Sequence, residues 1–182
     1  DKANNDPGTL VVSFDLENVF ALPRTPVSSA FYKSKLNCYN LTAVVGRTKE
    51  AFSAVWVETT SGRSGNDLAS ALIHLLDTII PKYPDTKNII LWSDSCVAQN
   101  KNQIIIAVKK DRAATATTRV SVLPRKVTRV GQIKSLDKPK PLPPCKQLTK
   151  KKADDIRSLV RFLTGDDKIF MENILANNVA TS

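Results

Sequence analysis

The stretch that most constrains the fold of this chain is residues 88–102, NIILWSDSCVAQNKN. Its four large apolar residues, Ile89–Trp92, run without a break into an acid, Asp94, and then into a polar turn. Such a run is typical of a central strand of a parallel or mixed sheet that is covered on both faces. Open α/β sheets carry their chemistry at the carboxyl ends of such strands. The stretch therefore predicts an α/β fold with a functional acid, Asp94, at one edge of its sheet.

Size and composition limit the class of protein. A chain of 182 residues is long enough for about one domain with a sizeable core. No run of about 18 apolar residues is present, so neither a membrane span nor a membrane partner is expected. The start, DKANNDPGTL, lacks the features of a signal peptide, which predicts an intracellular protein. Three widely spaced cysteines favour reduced thiols, and the single histidine, His74, without a CxxC pair argues against structural zinc.

The positive charge is concentrated in the second half of the chain. The formal net charge is +10, and residues 112–152 carry 12 basic residues and one acid, Asp137. A basic region of this kind favours a polyanion, DNA or RNA, as the partner. A solvated tail or a nuclear localisation signal is the alternative, and the two are compatible. The predicted nucleic-acid contacts in and near this region are Lys101, Arg119, Arg125, Lys126, Arg129, Lys150, Lys151 and Lys152.

The first half predicts three strands and a helix. Thr9–Phe20 reads as a strand with alternating apolar residues, and Cys38–Val45 and Phe52–Thr59 read as a hairpin. Asp15 interrupts the first strand, and burying it would be unfavourable unless it were paired or bound to a metal. An exposed acid on a one-sided strand is the alternative. Between the first strand and the hairpin, a proline-containing break at 21–26 precedes a short helical piece at 28–35.

Asn66–Ile80 is the clearest helix, because leucines and Ile79 recur at helical spacing. Asn66 is the expected N-cap, and Pro81 ends the helix. Asp67 lies in the first turn, where a carboxylate is stabilised by the helix dipole even without a ligand.

The second half predicts helices separated by a basic region. A helix is expected over Val97–Lys110, a basic strand or hairpin over Arg119–Val130 and a linker of polyproline type over Pro139–Pro144. Two final helices are expected, over Leu148–Leu163, which Gly165 would end, and over Asp166–Ala176. The predicted organisation is a disordered lead-in at 1–8, a core at 9–110, a basic linker or strand region at 111–147 and a helical segment at 148–182.

Three acids, Asp15, Asp67 and Asp94, stand on successive elements in the order strand, helix, strand. This order is used by ribonuclease-H-like folds, in which three antiparallel strands are followed by a helix and by a fourth strand parallel to the first. The first and fourth strands would bring Asp15 next to Asp94, and the helix would add Asp67. Carboxylates are the ligands that Mg²⁺ or Mn²⁺ prefers, and such ions promote phosphodiester chemistry.

Three segments also carry a resemblance to a known family: FDLENVFALPRTPVSSAFYKSKLNCYNL, SGRSGNDLASAL and LWSDSCVAQNKN. They resemble an uncharacterised transposon-associated domain of animal genomes, thought to adopt the ribonuclease-H-like fold of DDE-type transposases and integrases. The similarity covers about Val11–Val108, with a weaker match near Lys150–Phe170. It implies a mixed sheet of three antiparallel strands, helix, parallel strand and helix. The residues that follow predict a basic C-terminal extension that ends in helices.

The resemblance also assigns roles to residues. It implies that Asp15 and Asp94 are catalytic metal ligands, that Asp67 is a third, and that Gln99 and Asn100 orient a phosphate or a water. Val97 and Ala98 stand where the family tends to have glycines. The family's later stretch, an acid followed by Asp-Ser and a His, has no counterpart after Lys110, which predicts impaired catalysis.

Two functions follow as hypotheses. The first is a transposase-derived domain for metal-dependent DNA cleavage or strand transfer. The second is a non-catalytic remnant that binds nucleic acid through residues 112–152. A sugar- or nucleotide-kinase function is disfavoured, because the sequence lacks glycine-rich phosphate loops. A serine or cysteine hydrolase is disfavoured too, because Cys96 has no evident base.

Overall fold

The structure is a computed structural model, and it describes residues 6–93, 119–122 and 146–179 of the 182-residue chain. Its strands are β1 Thr9–Leu16, β2 Phe20–Leu22, β3 Leu36–Val45, β4 Ala51–Val57, β5 Asn88–Trp92 and β6 Arg119–Val122. Its α-helices are α1 Gly65–Ile79, α2 Lys150–Val160 and α3 Gly165–Asn177, and short 3₁₀ turns cover Ser28–Tyr32 and Ile80–Lys82. The predicted helix Val97–Lys110 and the predicted linker Pro139–Pro144 lie outside the described residues.

The strands form a mixed sheet, so the predicted α/β class is confirmed. β1 runs antiparallel to β3, with Val12 opposite Val45, and parallel to β5, with Leu10 opposite Ile89. β5 runs parallel to β6, β4 pairs with β3, and the short β2 pairs antiparallel with the first residues of β3. The expected neighbour relation, a later strand parallel to the first and beside it, is thus present. The predicted hairpin is confirmed too, since the Val45 N–H donates to the Glu50 carbonyl where β3 turns into β4.

The chain forms two compact units that interleave along the sequence. Of the described residues, the first unit contains 6–17, 40–54, 63–93 and 119–122, and the second contains 18–39, 55–62 and 146–179. Strands β3 and β4 each contribute to both units. In the first unit, buried side chains from β1, β3, α1 and β5 build the core, and its largest fully buried members are Leu10, Val12, Val45, Leu72, Leu76, Ile79 and Leu91.

Strand β5 differs from its prediction. Four apolar residues in a row predict cover on both faces, but only Ile89 and Leu91 are buried, at 3% and 1% exposure. Ile90 is half-buried and Trp92 is 40% exposed. Because side chains alternate along a strand, β5 buries one face completely and leaves the other partly open. An unbroken apolar run could not reveal this, since it gives no contrast between the faces.

Helix α1 confirms the prediction from periodicity, with one correction at its start. Leu68, Leu72, Leu75 and Leu76 recur at helical spacing and are buried. The N-cap is Ser64 and not Asn66, and the helix therefore begins at Gly65. It ends at Ile79, where the 3₁₀ turn that contains Pro81 follows.

The second unit packs helices α2 and α3 against the beginning of β3. Its core cluster combines side chains that are distant in sequence: Leu36, Cys38, Val57, Leu148, Ala153, Ile156, Val160, Met171 and Leu175. Burial raises the pKa of the Cys38 thiol above its ordinary value and so favours the neutral form. Helices α2 and α3 thus cover apolar side chains of β3, a strand that comes much earlier in the sequence.

Several boundaries differ from the predicted ones. The predicted first strand, Thr9–Phe20, divides into β1 and β2, because the exposed residues 17–19 belong to no strand, although the Glu17 N–H still donates to the Asn40 carbonyl of β3. Helix α2 begins at Lys150, since Thr149 caps it, and ends at Val160. Gly165 does not end α2 but begins α3, with a φ of +58° that side-chain-bearing residues rarely adopt. Of the predicted basic strand Arg119–Val130, residues Arg119–Val122 form β6 and the rest lie outside the described residues.

Candidate functional site

The candidate site lies at the end of the parallel pair β1 and β5. Their last paired residues are Ser13 and Trp92, and the carboxyl ends of parallel strands meet at one edge of a sheet. Asp15 follows Ser13 by two residues and is still part of β1, where it pairs with Thr42 of β3. The structure therefore places Asp15 at the edge that the sequence predicts for it.

Asp15 is exposed, and this corrects one expectation. The acid interrupts an apolar strand, which suggested a buried carboxylate held by a metal or a partner. Buried residues occupy β1 from Thr9 to Val12, but from Ser13 onward the strand alternates, and Ser13 and Asp15 face solvent. The alternative of an exposed acid on a one-sided strand describes this half of β1. No desolvation penalty then has to be offset at Asp15.

A polar row crosses the sheet beside Asp15. Thr42 is its cross-strand neighbour on β3, and the Thr42 hydroxyl lies 3.4 Å from the hydroxyl of Ser53 on β4. Side chains directly opposite one another on paired strands lie on the same face of a sheet. The row Asp15–Thr42–Ser53 therefore presents one carboxylate and two hydroxyls on a single face. Such a set offers oxygen ligands for a hard cation and hydrogen bonds for water or phosphate.

Asp67, predicted as a third ligand, has a structural role at the start of α1. Its Oδ2 accepts a hydrogen bond from the Ser64 N–H at 2.7 Å, and its own N–H donates to Ser64 Oγ at 3.4 Å. These reciprocal bonds form a capping box that satisfies N–H groups the helix itself leaves unpaired. Asp67 is only 8% exposed. Asp67 therefore stabilises the start of α1, in line with the alternative that a carboxylate in the first turn needs no bound ligand.

The capping box gives a direct stability prediction. Ser64→Ala is expected to lower the free energy of unfolding by about 1 kcal/mol, because the Asp67 N–H then has no side-chain acceptor. The measurement is urea unfolding followed by circular dichroism. Ser70→Ala is the matched control on the same helix, since the Ser70 hydroxyl only donates to the Asn66 carbonyl. Equal losses for the two variants would contradict the cap.

The lysines at the start of α2 divide into two kinds. Lys150 and Lys151 are exposed, whereas Lys152 forms an ion pair of 2.5 Å with Glu58. The same Glu58 oxygen accepts the Asn37 N–H at 2.7 Å, so Lys152 belongs to a partly buried network that joins α2 to β3. Of the three predicted nucleic-acid contacts on α2, Lys150 and Lys151 present their charge to solvent.

The remaining predicted site residues lie either on β6 or outside the described residues. Arg119 begins β6, of which only the backbone is described, and pairs with Asn88 in the parallel ladder. The others lie outside the described residues: Asp94, Gln99, Asn100, Lys101, Arg125, Lys126 and Arg129. Within residues 6–93, 119–122 and 146–179, no group of three or more His, Cys, Asp or Glu side chains is arranged to hold a metal ion. In the same part of the chain, no helix is both long and apolar enough to cross a membrane.

Comparisons with known proteins add no family. No protein-family model matches this chain, and no curated protein matches it significantly. The resemblance of its three segments to a transposon-associated domain therefore stays a prediction from the sequence.

Sequence reasoning missed two sets of residues. Thr42 and Ser53 were not singled out, because their nearness to Asp15 depends on the register of three strands, which composition does not reveal. Phe31 and Tyr32 are 84% and 87% exposed, although aromatic residues in a folded chain are ordinarily assigned to the core. The one signal available was their position among prolines, serines and lysines, a composition more typical of a surface turn.

Proposed function

We propose that this chain is a ribonuclease-H-like domain derived from a transposase, and that it cleaves or joins DNA with Mg²⁺ or Mn²⁺ held by Asp15 and Asp94. A protein that acts on chromosomal DNA would work in the nucleus. The observation that carries the proposal is the parallel pairing of β1 with β5: Asp15 lies on β1, and in sequence Asp94 follows the last residue of β5 by two.

Equal spacing along the two strands supports this pairing of acids. Ser13 and Trp92 are opposite each other, and in sequence Asp15 and Asp94 each follow by two residues. A register that continues unchanged would bring the two acids to the same level of the sheet. Two carboxylates at the same level of neighbouring strands would repel each other, and a bound cation would offset that repulsion.

Asp15 fits the role of a metal ligand. Its carboxylate is exposed, and no hydrogen bond or ion pair links it to another side chain in the described part of the protein. Carboxylate oxygens are the donors that Mg²⁺ takes, and the hydroxyls of Thr42 and Ser53 lie on the same face. We assign Asp67 to positioning α1 and not to direct ligation, since its Oδ2 already accepts the Ser64 N–H.

In this mechanism the protein supplies ligands and orientation. A divalent ion, when bound, would supply Lewis-acid polarisation of a phosphodiester and would activate a water or a 3′-hydroxyl. Asp15 and Asp94 would be the carboxylates that hold it. The Thr42 hydroxyl, one strand away from Asp15, can donate a hydrogen bond to a phosphate oxygen or to a water. Exposed cations, among them Lys150 and Lys151, attract the DNA backbone.

The test is nicking of supercoiled plasmid in Mg²⁺ or Mn²⁺, with EDTA as the metal-free reference. Asp15→Asn and Asp94→Asn are each expected to reduce nicking by about 100-fold or more, because a metal ligand contributes several kcal/mol to charge stabilisation. Asp85→Asn is the matched control, an exposed acid in the turn before β5. It removes the same charge and is expected to leave nicking unchanged.

Metal binding separates an impaired enzyme from a wrong assignment. Mn²⁺ binding is measured by electron paramagnetic resonance on the same variants. A chain that binds Mn²⁺ through Asp15 and Asp94 but does not nick DNA has lost catalysis and kept the site. Nicking that survives both substitutions, or Mn²⁺ binding that is indifferent to them, contradicts the proposal.

The second candidate is a non-catalytic protein that binds nucleic acid through residues 112–152. It is favoured by the 12 basic residues and one acid of that region and by the exposure of Lys150 and Lys151. Such binding weakens steeply with salt and needs neither Asp15 nor a divalent ion. Salt titrations in EDTA therefore distinguish the two candidates.

A further inference from the structure

We propose that Phe31 and Tyr32 form a stacking site for the bases of single-stranded nucleic acid. The two are the most exposed large hydrophobic side chains in the described part of the protein, at 84% and 87%. The inference deepens the proposed function, because it names the form of nucleic acid that is bound, and it rests on that function for the class of partner alone. It involves neither Asp15 nor a metal.

The two rings are presented by a turn that is fixed from both sides. They lie at the end of the 3₁₀ turn Ser28–Tyr32, in which Ala30 is buried at 2% exposure and its N–H donates to the Val27 carbonyl. On the other side, Asp155 of α2 accepts the Ser34 N–H at 3.0 Å and pairs with Lys33 at 3.5 Å. These contacts hold the backbone that carries the rings before a ligand arrives, so less backbone entropy is lost on binding.

The rings leave aromatic faces open. Their centroids are 5.3 Å apart and their planes meet at 83°, so the pair is edge-to-face and not stacked. An edge-to-face pair covers at most one face of one ring. The remaining faces are the surfaces on which nucleobases stack in proteins that bind single strands without sequence preference.

The charge around the turn favours a polyanion over an apolar partner. Residues 18–37 contain three basic residues, Arg24, Lys33 and Lys35, and no Asp or Glu. Arg24 is exposed, and its guanidinium lies 5.6 Å from the centroid of the Phe20 ring, which is 37% exposed. Asp155 balances the charge of Lys33, since the Ser34 N–H, and then Lys33, lower the pKa of its carboxyl below the ordinary value. Arg24 and Lys35 form no ion pair among the described residues, and they leave the turn with a positive charge. Exposed aromatic rings in a segment that is otherwise basic are the combination that binds a single strand.

Base pairing makes the site selective for single strands. In a duplex the faces of the bases are stacked on one another, so a protruding ring reaches them only by unstacking neighbouring base pairs, which costs free energy. Phe31 and Tyr32 are therefore expected to favour unpaired nucleotides. Domains that cut or join DNA strands meet such nucleotides at the ends of their substrates.

The experiment measures binding of a fluorescent 20-residue oligothymidylate and of a duplex of equal length, by anisotropy in EDTA. Phe31→Ala and Tyr32→Ala are each expected to weaken binding of the single strand by about 5- to 150-fold, the range that corresponds to one stacked base, and to leave duplex binding within about 2-fold. Tyr32→Phe keeps the ring and is expected to bind like the unchanged protein. Phe162→Ala is the matched control, a 41% exposed ring in the turn after α2 that is expected to have no effect.

Each outcome decides between the possibilities. Single-strand binding that is unchanged in the Phe31→Ala/Tyr32→Ala double variant overturns this inference and leaves the proposed function standing. Absence of binding to either oligonucleotide by the unchanged protein contradicts the proposed function as well. Sedimentation velocity on the same samples tests whether the rings instead bind a second copy of this chain. A dimer that the double variant abolishes would make the rings a self-association surface and would overturn the stacking site. Because both rings are exposed, the variants are expected to retain the circular dichroism of the folded protein.

Discussion

Replacing Ile89 by Ala is expected to lower the free energy of unfolding by about 2–5 kcal/mol, the range for removing a large aliphatic side chain from a packed core. Ile89 is 3% exposed on β5, and β5 pairs with β1 on one side and β6 on the other. The loss combines the transfer free energy of the removed methyl and methylene groups with the cavity that remains. Urea unfolding, followed by circular dichroism, measures it.

The adjacent residue provides the matched control. Ile90→Ala is the same chemical change on the same strand, but Ile90 is half-buried and points to the opposite face. Its loss is expected to be less than half of that at Ile89, because part of the side chain already contacts water. Equal losses would mean that both faces of β5 are equally covered, as the unbroken apolar run alone suggests.

The second large effect is expected in the other unit. Ile156 of α2 is fully buried in the cluster that contains Leu36, Cys38 and Met171. Ile156→Ala is therefore also expected to cost about 2–5 kcal/mol of unfolding free energy. Hydrogen exchange of the α2 amides, together with urea unfolding, shows whether the loss is local to this unit.

Ile169→Ala on α3 is the control for that change. Ile169 is 57% exposed, so its removal opens no cavity, and alanine is the better helix former. The expected change is within about 0.5 kcal/mol. If Ile156→Ala were equally mild, α2 would not pack against the start of β3, and it would behave as the appended helical segment that its position in the sequence suggests.

Local patterns were sufficient for the elements and for part of the sheet. The leucines of α1 recur at the period of a helix, and the order of strands and helix was enough to predict that β5 lies parallel to β1. Periodicity is a short-range signal, since it is set by the geometry of one element. The parallel pairing was predicted from the order of elements, because parallel strands need an intervening crossover and α1 supplies one. The capping pattern Ser64-Gly-Asn-Asp67 was also present in the sequence, although Asn66 was the expected cap.

Burial and partners depended on contacts between distant residues. Asp15 was expected to be buried because its neighbours in sequence are apolar, yet which half of β1 is covered depends on what packs over it. The cluster around Ile156 unites residues from both ends of the chain, and no periodicity encodes such a pairing. The same reason explains why the row formed by Asp15, Thr42 and Ser53 emerged only with the register of the strands.

The interleaved second unit has a consequence for how the protein is made. Cys38 and Leu148 share one apolar cluster but are 110 residues apart, so the ribosome finishes β3 long before it supplies the helices that cover it. At ordinary elongation speeds this delay is roughly 5–20 s. Until α2 and α3 are synthesised, the side chains of Leu36, Cys38 and Val57 lack their packing partners, and this favours chaperone binding or aggregation. A nascent chain that stalls before α2 and α3 would therefore be prone to aggregation, and its solubility would depend on how quickly translation resumes.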